Sequence, residues 1–436
     1  MKRILVMTLI LVSLAMFAAC TAQPVAETPA APPASEAAPS KAAPEASPSP
    51  SAPAPASESP SAAAVVLKFA AQADSTPATK AVIEAFNTSQ SAYKVEWVEM
   101  TNDSGQMHDQ LLTSLRDSAE YDVVSLDVVW AGEFAAAGYI EPLDMMMADA
   151  GLKKSDYNAG SMASGAYQGK QYVLPFFPDL GLLYIRTDIV SKEDVAKLTS
   201  GSYTYDDLLA MAKKYKGKGK TDFGMTFQAK QYEGLVCNLA EFTGAFADLK
   251  GGLEAMKKFV DSGAVPVDIL NYTEGETHTS FIEGKAVFAR NWPYQYGMIK
   301  GEDSSIKPEQ VTVAPLPKGD TVGGWLLAVN KQSKQKEGAF EFIKFLAGEK
   351  GQKIMSTQGG YVPGFNTLLN DPDVAKANVM LTMDGFKAAV GKTVPRPVSA
   401  AYSKLSDTIQ VNAHKYLSGD QNIDATVTAI QAALGS

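Results

Sequence analysis

Three of the four tryptophans stand beside polar residues at the ends of apolar runs. Trp130 follows Asp127, just past Val123-Val124-Ser125-Leu126. Trp292 follows Asn291 at the end of Ala286 to Asn291, with Pro293 and Tyr294 next. Trp325 follows Gly323-Gly324, where small residues let a backbone approach a bound molecule. An indole beside a carboxylate or amide is suited to a polyhydroxylated solute. The ring packs on C–H faces, while Asp, Glu, Asn and Arg exchange paired hydrogen bonds with hydroxyls. The fourth tryptophan, Trp97, alternates within Tyr93 to Met100 and is expected in a core.

Other chemistries lack their residues. Gly217-Lys218-Gly219-Lys220-Thr221 ends like a phosphate-binding loop, but the glycine required five residues before Gly219 is Lys214. There is no H-E-x-x-H, no G-x-S-x-G and no calcium-binding loop. His108, His278 and His414 are scattered and form no metal-ligand pair. Cys237 lies in an apolar stretch and reads as a packed thiol. No cofactor is expected. Acids outnumber bases, 48 to 39, for a net charge of −9. No sustained basic run exists, which argues against nucleic acid and polybasic membrane docking.

The elements that must position the tryptophans follow one pattern. Val65 to Ala70, Tyr93 to Met100 and Tyr121 to Leu126 read as strands. Lys80 to Asn87, Met107 to Ser118 and Val128 to Ala137 read as helices. Strands alternating with helices imply a parallel sheet with crossovers. A second series begins after Gly169, with strands at Gln171 to Leu174, Gly181 to Ile185, Ala286 to Asn291, Val311 to Ala314 and Leu326 to Asn330. Helices are expected at Tyr205 to Tyr215, Leu253 to Ser262, Thr277 to Glu283, Gly338 to Leu346 and Gln352 to Thr357. Two more close the chain, Tyr402 to Leu417 and Ile423 to Leu434. The class is α/β. Val65 to Ser436 is too long for one core, since cores stop growing near about 250–300 residues.

The N-terminal part has a different character. Residues 1–19 read as an export signal, with Lys2 and Arg3 before an apolar run too short to span a bilayer. Phe17-Ala18-Ala19-Cys20 resembles the lipobox of bacterial lipoproteins, in which the cysteine is acylated. Residues 20–64 carry eleven of the chain's 24 prolines among Ala and Ser. That composition reads as a disordered tether between an acylated Cys20 and the folded part.

Across nearly all of Val65 to Ser436 the sequence resembles the family 1 extracellular solute-binding proteins of bacterial ATP-binding-cassette importers. The pieces are Y-D-V-V-S-L-D-V-V-W from Tyr121, P-F-F-P-D-L-G-L-L-Y from Pro175, and F-I-E-G-K-A-V-F-A-R-N-W-P-Y from Phe281. A-P-L-P-K-G-D-T-V-G-G-W-L-L-A-V-N from Ala314 and R-P-V-S-A-A-Y-S-K-L-S-D-T-I-Q from Arg396 complete the set. The last piece and L-D-V-V-W look most like trehalose/maltose-type binders. The resemblance implies a two-lobed periplasmic-binding-protein fold of type II, maltose-binding-like, with a hinge between discontinuous lobes. Lobe one is expected at 65–174 plus 327–372, and lobe two at 175–326 plus 373–436.

The resemblance also implies roles. Asp127 matches the family's sugar-binding acid and would also cap a helix from Val128. Asp179 lies past the first lobe crossing. Trp292 is the strongest stacking candidate, with Tyr294, Trp130, Asn291, Gly324 and Trp325 beside it. Arg396 would fork onto two hydroxyls, or form a surface ion pair with Asp407. Asn238 and Glu241 are expected on a helix facing the cleft. Asp74 occupies a position where the family often carries a polar ligand. The implied function is a monomeric, lipid-anchored, extracytoplasmic and non-enzymatic receptor. It captures an α-linked disaccharide or short oligosaccharide by hinge closure and passes it to a permease. A secreted carbohydrate-active enzyme with paired carboxylates remains open, as does the same fold binding a polyamine or glycerol phosphate.

Overall fold

A computed structural model describes residues 63–397, 399 and 401–435. The expected export signal, Cys20 and the expected tether up to residue 62 lie outside the described residues. Among the described residues twelve strands follow in chain order: β1 Val65–Gln72, β2 Tyr93–Met100, β3 Val123–Asp127, β4 Ala166–Tyr167, β5 Lys170–Gln171 and β6 Leu174–Leu180. The rest are β7 Leu182–Arg186, β8 Phe223–Thr226, β9 Ala286–Asn291, β10 Val311–Ala314, β11 Asp320–Val329 and β12 Thr393–Val394.

Two main sheets result. The first has the order β12-β11-β3-β1-β2, with β6 also paired to β11; the second has the order β10-β7-β9-β8. In the first, β1 lies parallel to β2 and β3, while β11 runs antiparallel to β3 and β6. Period-two alternation gives each sheet two buried faces. Leu67, Phe69 and Ala71 enter one cluster, where Phe69 meets Phe342 edge-on at 5.2 Å. Ala70, Val124 and Leu126 enter the cluster on the opposite face, with Met107 and Phe134. In the second sheet Leu183 and Ile185 face one layer, and Leu182 and Tyr184 the other. Both sheets are therefore covered on both faces, as α/β architecture requires.

The chain leaves the first sheet at Gly181, between β6 and β7, and returns along β11. Strands β6 and β11 run side by side, antiparallel, within the first sheet. The expected strand ended at Leu174, but β6 runs on to Leu180 through Pro175 and Pro178. Proline supplies no ladder donor, and the pairing shifts register opposite this stretch, between Trp325 and Leu326. The helix expected from Val128 starts later, at Ala131. Val128 to Trp130 instead form a turn, in which the Asp127 carbonyl accepts from the Trp130 N–H at 2.9 Å. The C-terminal helices Tyr402–Ser418 and Ile423–Leu434 pack mainly on the second sheet's cluster, through Leu405, Ile409, Leu417 and Ile430. Trp97 is half-buried and donates its indole N–H to the Ala71 carbonyl at 3.2 Å.

Candidate functional site

A cavity of 430 Å³ opens where the ends of the first sheet meet two helix starts, Glu233–Thr243 and Glu274–Ile282. One wall is a cross-strand row. Trp325 on β11 pairs with Asp127 on β3 and with Phe177 on β6, so the three side chains share a face. Two residues along, Gly323 pairs with Asp179. All five line the cavity. Gly324 has φ +123°, and a Cβ there would sit 2.7 Å from the Phe177 carbonyl oxygen. Only glycine fits both the conformation and the close approach.

Arg396 closes the row. Its Nη1 and Nη2 donate to the two Asp127 oxygens at 3.1 and 2.6 Å, and Nη1 also donates to Glu233 at 2.8 Å. Glu233 accepts from the Tyr402 and Ser406 hydroxyls as well. The group is buried. Burial opposes charge on Arg396, but its neighbours, Asp127 foremost and Glu233 among them, together outweigh burial and hold the guanidinium pKa well above its ordinary value. Burial pushes Glu233 up despite Arg396. Arg396 is not on the surface, and its partners are Asp127 and Glu233 rather than Asp407.

The opposite wall belongs to the second sheet. Trp292 follows β9 and donates its indole N–H to Glu274 at 3.1 Å. Glu274 also accepts from the Tyr232 hydroxyl at 2.6 Å. The Tyr294 hydroxyl and His278 Nδ1 are hydrogen-bonded at 2.9 Å. Burial lowers the His278 pKa to about 4. Among the described residues Asp179 has no ion-pair partner. Burial pushes its pKa well above the usual carboxylate range, although the Leu180 N–H works against the shift. Its protonated form can donate as well as accept. At the mouth Lys230 stands 3.6 Å from Asp103.

Asp127, Asp179, Trp292, Tyr294, Gly324, Trp325 and Arg396 thus meet around one space. Five other expected residues do not line it. Trp130 packs edge-on behind Trp325, at 5.5 Å. Asn291 is fully buried; its side chain accepts from the Trp292 N–H and donates to Gln295. Asp74 accepts from Thr76, Thr79 and the Tyr361 hydroxyl, so it fixes the loop after β1 rather than facing the cavity. Asn238 and Glu241, expected to face the cleft, point away from it. Asn238 donates to Gln228 and the Gly234 carbonyl, and Glu241 grips Arg290. Their helix presents only its first turns, Glu233, Gly234 and Cys237, to the cavity.

Several lining residues had no expected role. Phe177 could have been found, since it lies two residues before Asp179 on one strand. Glu233 could have been found one helical turn before Cys237. Glu274, Tyr232 and Tyr361 carry no signal in the linear sequence. Among the described residues no group of three His, Cys, Asp or Glu is arranged to hold a metal ion. Burial also raises the Cys237 thiol, so it is no thiolate nucleophile.

A family model for bacterial extracellular solute-binding proteins matches residues 81–382. This chain belongs to that family. It is 30% identical over 329 residues to a probable ABC transporter-binding protein of Deinococcus radiodurans, covering 69% of this chain and 76% of that one. It is 25% identical over 315 residues to a maltotriose-binding protein of Pyrococcus abyssi, covering 68% and 65%. A maltose-bound protein of T. maritima superposes with a TM-score of 0.76 at 27% identity, over 85% of this chain and 99% of that one. The fold is therefore the two-lobed, maltose-binding-like one that the motifs implied. The relatives this chain matches are solute-binding proteins. The family is extracytoplasmic.

Proposed function

We propose that this protein captures a neutral sugar, an α-linked disaccharide or short oligosaccharide such as trehalose or maltose. It delivers the sugar to the transmembrane permease of an ATP-binding-cassette importer. The observation that carries this reading is the meeting of two indoles, Trp292 and Trp325, with Asp127, Asp179 and Arg396 around 430 Å³. Rings supply the stacking faces, and the carboxylates and guanidinium supply fixed donors and acceptors for hydroxyls. Similarity to a maltose-bound protein and to a maltotriose-binding one supports the same class. The lobes 65–174 plus 327–372 and 175–326 plus 373–436 close about β6 and β11 and exclude water from the sugar. An acylated Cys20 and the proline-rich segment anchor the receptor, as a monomer, to the bacterial cell membrane, at the cell surface or in the periplasm.

A thermal-shift screen with maltose, trehalose, maltotriose, mannitol and spermidine tests the reading, because a ligand raises apparent stability by mass action. A raised Tm with one of the α-linked sugars, and recovery of that sugar intact, is the expected result. A response to spermidine alone would replace the sugar by a cation. Hydrolysis of the sugar on long incubation would replace the receptor by an enzyme. Trp292→Ala is expected to weaken sugar binding markedly without abolishing it, and full-strength binding by that variant would remove the stacking role.

A further inference from the structure

Behind Trp292, away from the cavity, lies a buried ion pair that the binding site does not use directly. The Arg290 guanidinium stands 4.0 Å from the centre of the Trp292 ring. Its Nε donates to both Glu241 oxygens at 2.8 and 3.1 Å, and its Nη1 donates to Gln228 at 3.1 Å. Arg290 and Glu241 are each 1% exposed. Glu241 also accepts the backbone N–H of Thr321 on β11 at 3.2 Å. Gly181, at the other strand crossing, packs so tightly here that a Cβ would meet both Glu241 and Arg290. The far edge of the indole is fitted to Gly323, where a Cβ would sit 2.8 Å from Trp292 Cζ3.

A buried ion pair is weak evidence of stability, because desolvation offsets much of its attraction. Its placement here has another consequence. One face of the indole lies on the guanidinium, its N–H is held by Glu274, and its edge is held by Gly323. The carboxylate that orients the guanidinium is bonded to a crossing strand. We propose that Arg290 and Glu241 are positioning residues for Trp292, holding the indole at one angle to the cavity and tying it to β11. The proposal rests on the reading of Trp292 as a ligand platform.

The full chain labelled with 15N provides a ligand-free test. It has four tryptophans, and Trp292→Phe identifies the Trp292 indole N–H signal. Arg290→Lys keeps the charge but loses the planar fork. Glu241→Asp retracts the carboxylate and serves if the first variant does not fold. In either, the Trp292 signal is expected to shift and its hydrogen exchange to rise about tenfold, while the other three signals stay in place. Gly323→Ala, which crowds the ring edge and leaves the pair intact, is expected to move the same signal. With maltose as probe, Arg290→Lys is expected to weaken binding about tenfold in the wild-type background and less than about twofold in a Trp292→Ala background. An unchanged Trp292 signal in Arg290→Lys and Glu241→Asp overturns the proposal. So does a shift of all four signals together, which marks a general structural role. A wild-type chain that binds no maltose removes that sugar from the functional reading and leaves the indole result to decide the positioning role.

Discussion

The Arg396 guanidinium holds the Asp127 carboxylate with both terminal nitrogens, at 2.6 and 3.1 Å, across 269 positions of sequence. The contact ties the segment before the helix Tyr402–Ser418 to the end of β3. Glu233, at the start of a helix on the second sheet's side, shares the same guanidinium. One cation therefore joins three separate elements at the floor of the cavity.

Arg396→Met leaves two buried carboxylates without their cation. Breaking a buried pair by removing one partner typically costs about 3–5 kcal/mol. Urea unfolding at pH 7 should show a loss of that order, and sugar binding should fail as well. An unchanged midpoint would mean that the pair is open to solvent.

Asp320 is buried, and its Oδ2 has no hydrogen-bond partner. Burial raises its pKa to about 8. The unfolded chain ionises this group near 3.8 while the folded chain retains the proton, so stability falls as pH rises from 3.8 to 8. Asp320→Asn keeps an oxygen to accept from Leu316 and carries no titratable proton. It should stabilise the protein by about 2–4 kcal/mol at pH 7, with the gain vanishing near pH 4. Paired urea curves at the two pH values measure this directly.

The histidines bias stability in opposite directions. His278 has its pKa lowered to about 4, so its contribution is complete above about pH 6.5 and is lost as pH falls toward 4. Burial also works against charge on His108, but Glu133 and Asp109 outweigh it and raise the pKa. The His108 contribution is complete below about 6.5 and is lost as pH rises through the raised value. Relative to wild type, His278→Phe should flatten the acid side of the stability profile and His108→Gln the neutral side. A denaturation series from pH 4 to 8 reads both slopes, and the same slopes in the variants would deny these assignments.

Gly324→Ala forces a side chain into a φ of +123° and toward the Phe177 carbonyl. A loss of about 1–3 kcal/mol is expected from backbone strain. Because Trp325 is the next residue, the change in tryptophan fluorescence on adding sugar should shrink too. Thermal unfolding and a fluorescence titration of one sample test both effects.

Much of the site was legible because β-strands impose period two and strand ends carry their polar residues outward. Asp127, Trp325 and Asp179 sit on strands that meet in one sheet, and Trp292 ends a strand of the other. Asn238 and Glu241 were misplaced for a physical reason. A helix entering a cleft exposes only its first turns, and the composition of Glu233–Thr243 does not say where burial begins. The acid nearer the cavity is Glu233, while Glu241 is fully buried with Arg290. Asp74 shows the same limit, since a carboxylate after a strand can bind a ligand or cap the next helix, and its distance to Thr79 decides.

The sequence alone determined the class of fold, the alternation of strands and helices, and the family, because these follow from local periodicity and from motifs in a fixed order. It also identified part of the aromatic and acidic equipment of the cavity, namely Trp292, Tyr294, Trp325, Asp127 and Asp179. Only the tertiary structure decided who pairs with whom. The Arg396 partners, the guanidinium behind Trp292, the glycine that admits its edge and the tie from Glu241 to β11 are contacts between residues far apart in the chain. They depend on how two sheets and two crossing strands are packed, and no local pattern encodes that packing.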